Sequence, residues 1–214
     1  FIYSMENISF SSPVVILVNG EFPSHNVSIR KLNDAATIIC TDGSADKLLA
    51  HGLTPDVIVG DMDSTKLKKN EFKGLWFVSS DQNKTDLQKT LDWCIVNDLN
   101  NITVLGAMGK REDHSLGNLH ALAEYSSKID ITFVSNFAVI YCVQDKKVFS
   151  SSKGQQVSIV AIKHIHSIST VGLKYELNNE PFSPACNGIS NEAICNKFTI
   201  KTTEPIWLFI NHLD

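Results

Sequence analysis

The sequence has 214 residues, 43% of them apolar and 20% charged, which is typical of a globular protein and excludes a disordered or fibrous one. A formal net charge of −4 without a basic stripe argues against a nucleic-acid partner. No apolar run reaches the ~20 residues that span a bilayer, and no signal-peptide pattern opens the sequence, so we expect no membrane partner and a cytoplasmic location. Five scattered cysteines predict buried thiols in a reducing compartment.

From Val14 to about Phe137, short β-branched runs alternate with segments of helical period, a pattern typical of βαβ units around a parallel sheet. Runs that predict strands begin at Val14, Thr37, Leu75, Ile102 and Ile131. Apolar faces that predict helices are formed by Leu87, Leu91, Cys94 and Ile95, and by Leu116, Leu119 and Ala123. Residues 1–137 are therefore predicted to form a Rossmann-like α/β domain with a parallel sheet.

Beyond Asn136 the sequence consists of short β-rich runs broken by Gly, Pro, Asn and Ser, and no helical period exceeds two turns. This pattern predicts a small antiparallel β-sandwich domain over residues 138–214, packed against the α/β part.

Polar clusters follow four of the apolar runs in the first region. In open parallel sheets, ligands bind at the carboxyl ends of the strands, where helix N-termini also point. The clusters contain Asp42 and Gly43; Asp61 and Asp63; Asp81, Lys84, Thr85 and Asp86; and Arg111, Asp113 and His114. We expect all four to meet at one edge of the sheet.

Asp61 and Asp63 lie one residue apart, and like charges at that spacing repel unless a cation lies between them. Mg²⁺ prefers oxygen ligands and is often held by one or two carboxylates together with substrate phosphates. A solvated turn is the alternative explanation for an isolated pair of this kind. The other acidic clusters at neighbouring strand ends favour a metal site.

The segment GAMGKR contains Gly106 and Gly109, which allow backbone N–H groups to approach an anion. Its spacing matches neither a P-loop nor GxGxxG, so a tight strand-to-helix turn remains the alternative. Arg111 and Asp113 are also compatible with a structural ion pair. His114 is compatible with helix capping or packing as well as with a general base.

In SDQNKTDLQK, Thr85 is a candidate N-cap, and Asp86 lies in the first turn of the helix that follows, where the helix dipole favours a negative charge. Capping leaves Asp81 and Lys84 unexplained, and these two side chains suit phosphate binding and the orientation of a metal or nucleotide.

Taken in order, the strings TDGSADKLLAHGLTPDVIVGDMDST, DQNKTDLQKTL and LGAMGKREDHSLGNL resemble the successive motifs of the thiamine pyrophosphokinase family, approximately ADGGAN, PD-x-IVGDFDS, D-x-x-TD and G-x-x-G-x-R-x-DH. TVGLKYEL and NGISNEA resemble that family's thiamine-binding segment. The resemblance extends from about Val14 to the C-terminus, and the order of the motifs is more specific than any one of them.

The resemblance implies an enzyme that transfers pyrophosphate from ATP to thiamine, giving thiamine diphosphate and AMP, with residues 1–137 as the catalytic, nucleotide-binding domain and residues 138–214 as the thiamine-binding domain. It implies Mg²⁺ at Asp42, Asp61, Asp63 and Asp86, and catalytic roles for Asp61, Asp63, Asp86, Arg111 and Asp113. It implies nucleotide contacts from Asp42, Gly43, Asp81, Lys84, Thr85, Gly106, Gly109, Arg111 and His114.

The resemblance also implies that Ser190 and Asn191 hydrogen-bond to thiamine and that Tyr175, or as a second choice Trp207, stacks on its cationic or pyrimidine ring. For either aromatic, a place in the core of the β domain is the alternative. The family acts as a homodimer with thiamine near the subunit boundary. Ser44 stands where the family usually has Gly, and Met62 where it usually has Phe. Neither departure removes a charged group, so we expect altered packing only.

Two other functions remain open from the sequence. A metal-dependent phosphohydrolase would use the same aspartates with water as the acceptor, but it would have no need of Ser190 and Asn191. A non-catalytic thiamine or nucleotide sensor would not need the complete acidic set that this sequence retains.

Overall fold

The computed structural model describes residues 10–61, 63–67 and 72–213. Its first part alternates strands and helices, in the order β1 Val14–Leu17, α1 Asn26–Asn33, β2 Thr37–Thr41, a 3-10 turn Asp42–Ser44, α2 Ala45–Ala50, β3 Val57–Gly60, β4 Leu75–Val78, α3 Asp86–Val96, β5 Ile102–Leu105, α4 Glu112–Tyr125 and β6 Ile131–Val134. Met62, one of the two departures from the family motifs, lies outside the described residues.

The parallel strands lie in the order β4-β3-β2-β1-β5-β6. The chain moves outward from β1 to β4 on one side and then crosses to β5 on the other side. The carboxyl ends of β1 and β5 therefore flank the point at which the strand order reverses. In sheets of this kind, that point is where a crevice for ligands opens.

The α/β prediction for this region is confirmed, and each of the five expected strands is present. The run that ends at Gly60 forms a sixth parallel strand, β3. The helical faces are also present, with one exception. Leu116 is 53% exposed, whereas Leu119 and Leu122 are buried. The first turns of α4 border a cleft rather than the sheet, so the buried face of this helix begins later than its apolar pattern indicates.

The second part is rich in strands, as predicted. Its elements are β7 Ala138–Ser150, β8 Gln156–Ala161, β9 Ile165–Val171, β10 Asn178–Phe182, a 3-10 turn Cys186–Gly188, β11 Asn191–Glu192 and β12 Lys197–Asn211. β12 pairs with β7 along one side, and on its other side it pairs with β9 and then with β8. β7 also pairs antiparallel with β6, so one hydrogen-bonded sheet continues from the first part into the second. The boundary at residue 137 stays a prediction.

Two apolar clusters pack around the parallel strands, and a third fills the β-rich part. Cys40 and Cys94 are buried, as expected, but the prediction of buried thiols is wrong for Cys186 and Cys195, which are exposed near β11. Short strands and turns in that segment leave too little cover to bury them. In the part of the chain that the structure describes, no helix is long and apolar enough to cross a membrane.

Candidate active site

A cleft of about 610 Å³ opens at the carboxyl ends of the parallel strands. Four loops contribute to its lining: the loop after β1 with Asn19 and Gly20, the loop after β3 with Asp61 and Ser64, the loop before α3 with Gln82, Lys84 and Thr85, and the loop after β5 with Ala107, Gly109, Lys110 and Arg111. Three of the four predicted polar clusters therefore contribute to one cleft, and the fourth, at Asp42, adjoins it through the contact of Asp42 with Ser64.

Three carboxylates meet beside this cleft. Asp42, Asp61 and Asp63 each offer an oxygen, and these oxygens lie within 4.8 Å of one another. Asp42 is buried, and its Oδ2 accepts a hydrogen bond from the Ser64 backbone N–H at 3.1 Å. Its Oδ1 is buried without a hydrogen-bond partner among the described residues. A buried acceptor without a donor is costly, so this oxygen is available to a ligand.

The electrostatics of the cluster favour a cation. Burial raises the pKa of the Asp42 carboxyl, and the neighbouring charges of Asp86, Asp61 and Asp63 raise it further, while the hydrogen bond from Ser64 acts in the opposite direction. Three hard oxygen ligands, one of them buried and unpartnered, form a donor set that fits Mg²⁺. The residues present therefore fit the ion that the sequence predicted.

The pKa of Asp61 is shifted in the opposite direction from that of Asp42. Its partial burial acts to raise the pKa, but hydrogen bonds from Asp63 and Gln82 and the positive charge of Lys89 outweigh that effect, so the pKa is lowered. Asp61 is therefore held ionised at neutral pH. A carboxylate in this state is ready to bind a metal ion.

The structure does not bring Asp86 into the group of three. Its Oδ1 instead pairs at 3.3 Å with the ammonium of Lys89, whose side chain is only 4% exposed. Lys89 also lines the cleft, although the sequence motifs did not identify it as a site residue. The signal for it was its position three residues after Asp86, which places both side chains on the same face of α3.

The two glycines after β5 take conformations that other residues rarely adopt. Gly106 has φ +68° and Gly109 has φ +80°. A Cβ at Gly106 would lie 2.3 Å from the backbone oxygen of Val18, so this loop and the loop after β1 pack backbone to backbone. The loop after β1 was also not predicted as part of the site. The other loops were located by a polar turn directly after a strand, and the same rule applies to Asn19 and Gly20.

Two cationic side chains around the cleft, Arg111 and Lys84, already have carboxylate partners. Arg111 Nη2 lies 2.5 Å from Asp113 Oδ2, and Lys84 Nζ lies 2.5 Å from Asp92 Oδ2. The hydrogen bond from Arg111 is the main cause that lowers the pKa of Asp113 to about 2. The Arg111–Asp113 ion pair left open by the sequence is therefore present. His114 lines the cleft beside this pair, and its backbone N–H donates to Asp113 Oδ1 at 2.9 Å.

The loop before α3 is organised by capping. Thr85 Oγ1 accepts from the Gln88 backbone N–H at 3.3 Å, and the Gln88 side chain accepts from the Thr85 N–H at 3.1 Å, which makes a capping box. Asp81 is exposed, and its carboxylate accepts from the Asn83 N–H at 2.9 Å. It does not line the cleft. Gly43 lies in the 3-10 turn that carries Asp42.

The four candidates for thiamine binding differ in their surroundings. Tyr175 is 66% exposed. The buried side chain of Asn191 accepts from the Tyr175 backbone N–H at 3.1 Å and donates to the Tyr175 backbone oxygen at 2.8 Å, so it fixes the position of the tyrosine. Ser190 is exposed, with φ +61° and its N–H bonded to the Ser158 hydroxyl.

Trp207 is in the core. It is 6% exposed, and its indole N–H donates to the backbone oxygen of Leu119 at 2.9 Å, which joins β12 to α4. Its ring packs edge-on against His120. The stacking role considered for Trp207 is not supported by this position, because its ring faces are covered and its only polar group is already bonded. The core alternative is the one its surroundings favour.

The comparisons with known proteins agree on one family. The family descriptions "Thiamin pyrophosphokinase, catalytic domain" and "Thiamin pyrophosphokinase, vitamin B1 binding domain" match residues 29–133 and 140–207. Thiamine pyrophosphokinase 1 of Oryza sativa subsp. japonica is 31% identical over 204 residues, which cover 79% of this chain and 76% of that protein. Thiamine pyrophosphokinase of Bacillus subtilis is 27% identical over 188 residues, covering 82% and 87%.

Solved structures show the same fold. The crystal structure of thiamine pyrophosphokinase from Bacillus subtilis is similar with a TM-score of 0.77 at 24% identity, over 94% of this chain and 99% of that one. The crystal structure of yeast thiamin pyrophosphokinase is similar with a TM-score of 0.75 at 16% identity, over 92% and 85%.

Proposed function

The chain belongs to the thiamine pyrophosphokinase family, and we propose that it carries out the reaction with Mg²⁺ held by Asp42, Asp61 and Asp63 beside the cleft. It is an enzyme that uses ATP to convert thiamine to thiamine diphosphate. The observation that carries the metal assignment is the buried Oδ1 of Asp42, which has no hydrogen-bond partner in the described part of the chain, within a group of three carboxylates. A bound Mg²⁺ supplies charge neutralisation and orientation for the phosphates.

Residues 1–137 are assigned to nucleotide binding and catalysis. The glycine-containing loop after β5 lines the cleft, and its backbone N–H groups are the donors that we assign to phosphate oxygens. Arg111 and Lys84 neutralise negative charge on the transferred group and on the AMP leaving group. Both are exposed enough to exchange Asp113 and Asp92 for phosphate oxygens, because surface ion pairs contribute little free energy.

Asp86 keeps a role beside the metal ligands rather than among them. Its negative charge raises the pKa of Asp42, and its pairing with the buried Lys89 supplies a fixed positive charge next to Asp61. Thr85 holds this turn in place through the capping box. Gly43 lies beside Asp42 in the 3-10 turn, and His114 lines the cleft from the first turn of α4. Asp81 steadies the turn that carries Lys84.

Residues 138–214 are assigned to thiamine. The exposed ring of Tyr175, fixed through its backbone by Asn191, suits stacking on a heterocyclic cation. Ser190, the residue before Asn191, offers an exposed hydroxyl. Tyr175, Ile189 and Ile194, all from this part of the chain, are at least 47% exposed, and a group of exposed apolar side chains suits cover by a second copy of the chain. We therefore propose a homodimer with thiamine near the subunit boundary.

An assay for AMP tests the proposed function. We expect AMP to form from ATP and Mg²⁺ only when thiamine is present, in equal amount with thiamine diphosphate. Release of phosphate from ATP without thiamine would indicate the metal-dependent phosphohydrolase instead. Binding of ATP or thiamine without any turnover would indicate the sensor.

A further inference from the structure

Two lysine side chains meet at the edge of the cleft and share one acceptor. The Lys47 ammonium, from α2, donates to the backbone oxygens of Asn19 at 3.2 Å and Gly20 at 3.1 Å. The Lys110 ammonium, from the loop after β5, donates to the same Asn19 backbone oxygen at 2.9 Å and to the Asn19 side-chain oxygen at 3.2 Å. Within the described ranges, neither ammonium has a carboxylate oxygen within 4.0 Å.

The loop that receives both lysines is fixed by its own packing. The Gly20 backbone N–H donates to the Gly106 backbone oxygen at 2.8 Å. On the other side, the Asn19 amide lies directly over Gly43, where a Cβ would come 2.2 Å from Asn19 Nδ2. The loop therefore has its own anchors besides the lysines. Two like charges that share neutral acceptors repel each other, and this arrangement calls for an anion.

The cleft supplies the place for that anion. Asn19, Gly20 and Lys110 line the same cleft as Asp61, and Lys47 reaches the first two from α2. In a nucleoside triphosphate, only the terminal phosphate carries two negative charges near neutral pH, which matches a pair of ammonium groups. We propose that Lys47 and Lys110 together bind the terminal phosphate of ATP, an inference that rests on the proposed use of this cleft for ATP.

The position of the reacting bond determines which kinetic constant should change. Transfer of pyrophosphate breaks the bond between the α-phosphate and the β-phosphate, while the terminal phosphate travels with the transferred group. A contact to the terminal phosphate is therefore made in the bound substrate and kept in the transition state. Loss of such a contact raises KM for ATP and leaves kcat nearly unchanged.

The test compares the binding of MgATP and MgADP by calorimetry in Lys47→Met and Lys110→Met, with Lys31→Met as a control, since Lys31 is exposed on α1 and outside the cleft. We expect each cleft variant to bind MgATP about 10-fold to 100-fold more weakly, the range for hydrogen bonds to charged groups. MgADP binding should stay within about twofold, which also reports an intact site. Equal weakening of both nucleotides, or of neither, would overturn the assignment to the terminal phosphate.

A pH profile separates charge from structure. Burial lowers the pKa of Lys47 to about 8, and the hydrogen bond and charge of Lys110 lower it further. In the described chain, Lys110 is the one charged group found facing Lys47. The carboxylate of Asp46, on the same helix, accepts instead from the Thr65 hydroxyl and the Lys66 backbone N–H. kcat/KM for ATP should therefore fall above about pH 8. In Lys47→Arg, which stays charged, it should remain level to higher pH. An identical profile in both proteins would contradict the proposal.

The same experiments keep this proposal separate from the proposed function. If the wild-type protein forms no AMP with thiamine, the proposed function fails, whatever the lysine variants bind. If the wild-type protein does form AMP and the variants keep their normal preference for MgATP over MgADP, only the assignment of the lysine pair fails.

Discussion

Replacing Asp42 with asparagine should shift the stability of the protein in opposite directions with and without Mg²⁺. In the metal-free protein, Asp42 Oδ1 is buried and has no hydrogen-bond partner among residues 10–61, 63–67 and 72–213, and oxygens of two more carboxylates lie within 4.8 Å. In Asp42→Asn, the amide oxygen can keep the hydrogen bond from Ser64, and the amide N–H₂ can donate toward Asp61 and Asp63. The substitution therefore removes both a negative charge and an unsatisfied acceptor.

The magnitude without metal follows from that acceptor. An unsatisfied buried polar group costs about 1–3 kcal/mol. A chain of this length gains about 2–4 °C in Tm for each kcal/mol. We therefore expect Asp42→Asn in EDTA to unfold several degrees higher than the wild type. The control is Asp130→Asn, which removes one exposed negative charge outside the cluster and should change Tm by less than about 1 °C, since such substitutions change stability by about 0.5 kcal/mol or less.

With Mg²⁺ the order reverses. An ion that binds only the folded protein stabilises it by about 4.1 kcal/mol at a free concentration of 1,000 times Kd, which exceeds the cost of about 1–3 kcal/mol for the unsatisfied acceptor. The wild type should gain this stabilisation, and Asp42→Asn should lose most of it, because the amide N–H₂ cannot act as a ligand. Thermal unfolding across a Mg²⁺ series at fixed protein concentration measures both effects.

The pH dependence gives a second measurement on the same pair of proteins. The pKa of Asp42 is raised in the folded state, chiefly by burial. Its contribution to stability is therefore fully present below the ordinary aspartate pKa and is lost as the pH rises through the raised value. In EDTA the wild type should lose stability over that window, and Asp42→Asn should lose less. An asparagine variant that is less stable in EDTA, or one that Mg²⁺ stabilises as much as the wild type, would refute the reasoning.

Six further substitutions, at five positions, test other parts of the site and fold. Asp61→Ala and Asp63→Ala should each reduce turnover by at least ~100-fold through lost metal binding, and near-normal kcat in both would contradict the metal assignment. Trp207→Phe should lower the free energy of unfolding by about 1–3 kcal/mol, because its backbone acceptor on α4 loses a buried donor, with KM for thiamine unchanged; a large rise in that KM would instead favour stacking. Gly106→Ala should cost at least about 1–3 kcal/mol in urea unfolding, since φ is +68° and the new Cβ would meet a backbone oxygen at 2.3 Å; unchanged stability would show that the loop can move aside. Tyr175→Ala should raise KM for thiamine but not for ATP, and Tyr175→Phe should retain the wild-type value if stacking is the cause.

The sequence determined the architecture of this protein. Short β-branched runs with intervening helical periods predict parallel strands, and the switch to β-rich runs after Asn136 predicts the second region. These patterns are local, because strand and helix periodicity is read from neighbouring residues. The rule that polar residues follow strands then placed Asp42, Asp61 and Asp63 at one edge, and the structure brings them within 4.8 Å.

Tertiary structure decided the partner of each side chain. Asp86 follows its strand as the other aspartates do, yet it pairs with the buried Lys89 rather than joining the group of three. Trp207 and Tyr175 both belong to the β-rich second region, but the first is buried against α4 and the second is exposed. A sequence pattern places a backbone segment at an edge of a sheet, whereas ångström-scale contacts depend on which groups from distant segments reach a side chain first. Lys47 and Lys110, 63 positions apart in the sequence, share the Asn19 oxygen only because β1 lies between β2 and β5 in the sheet.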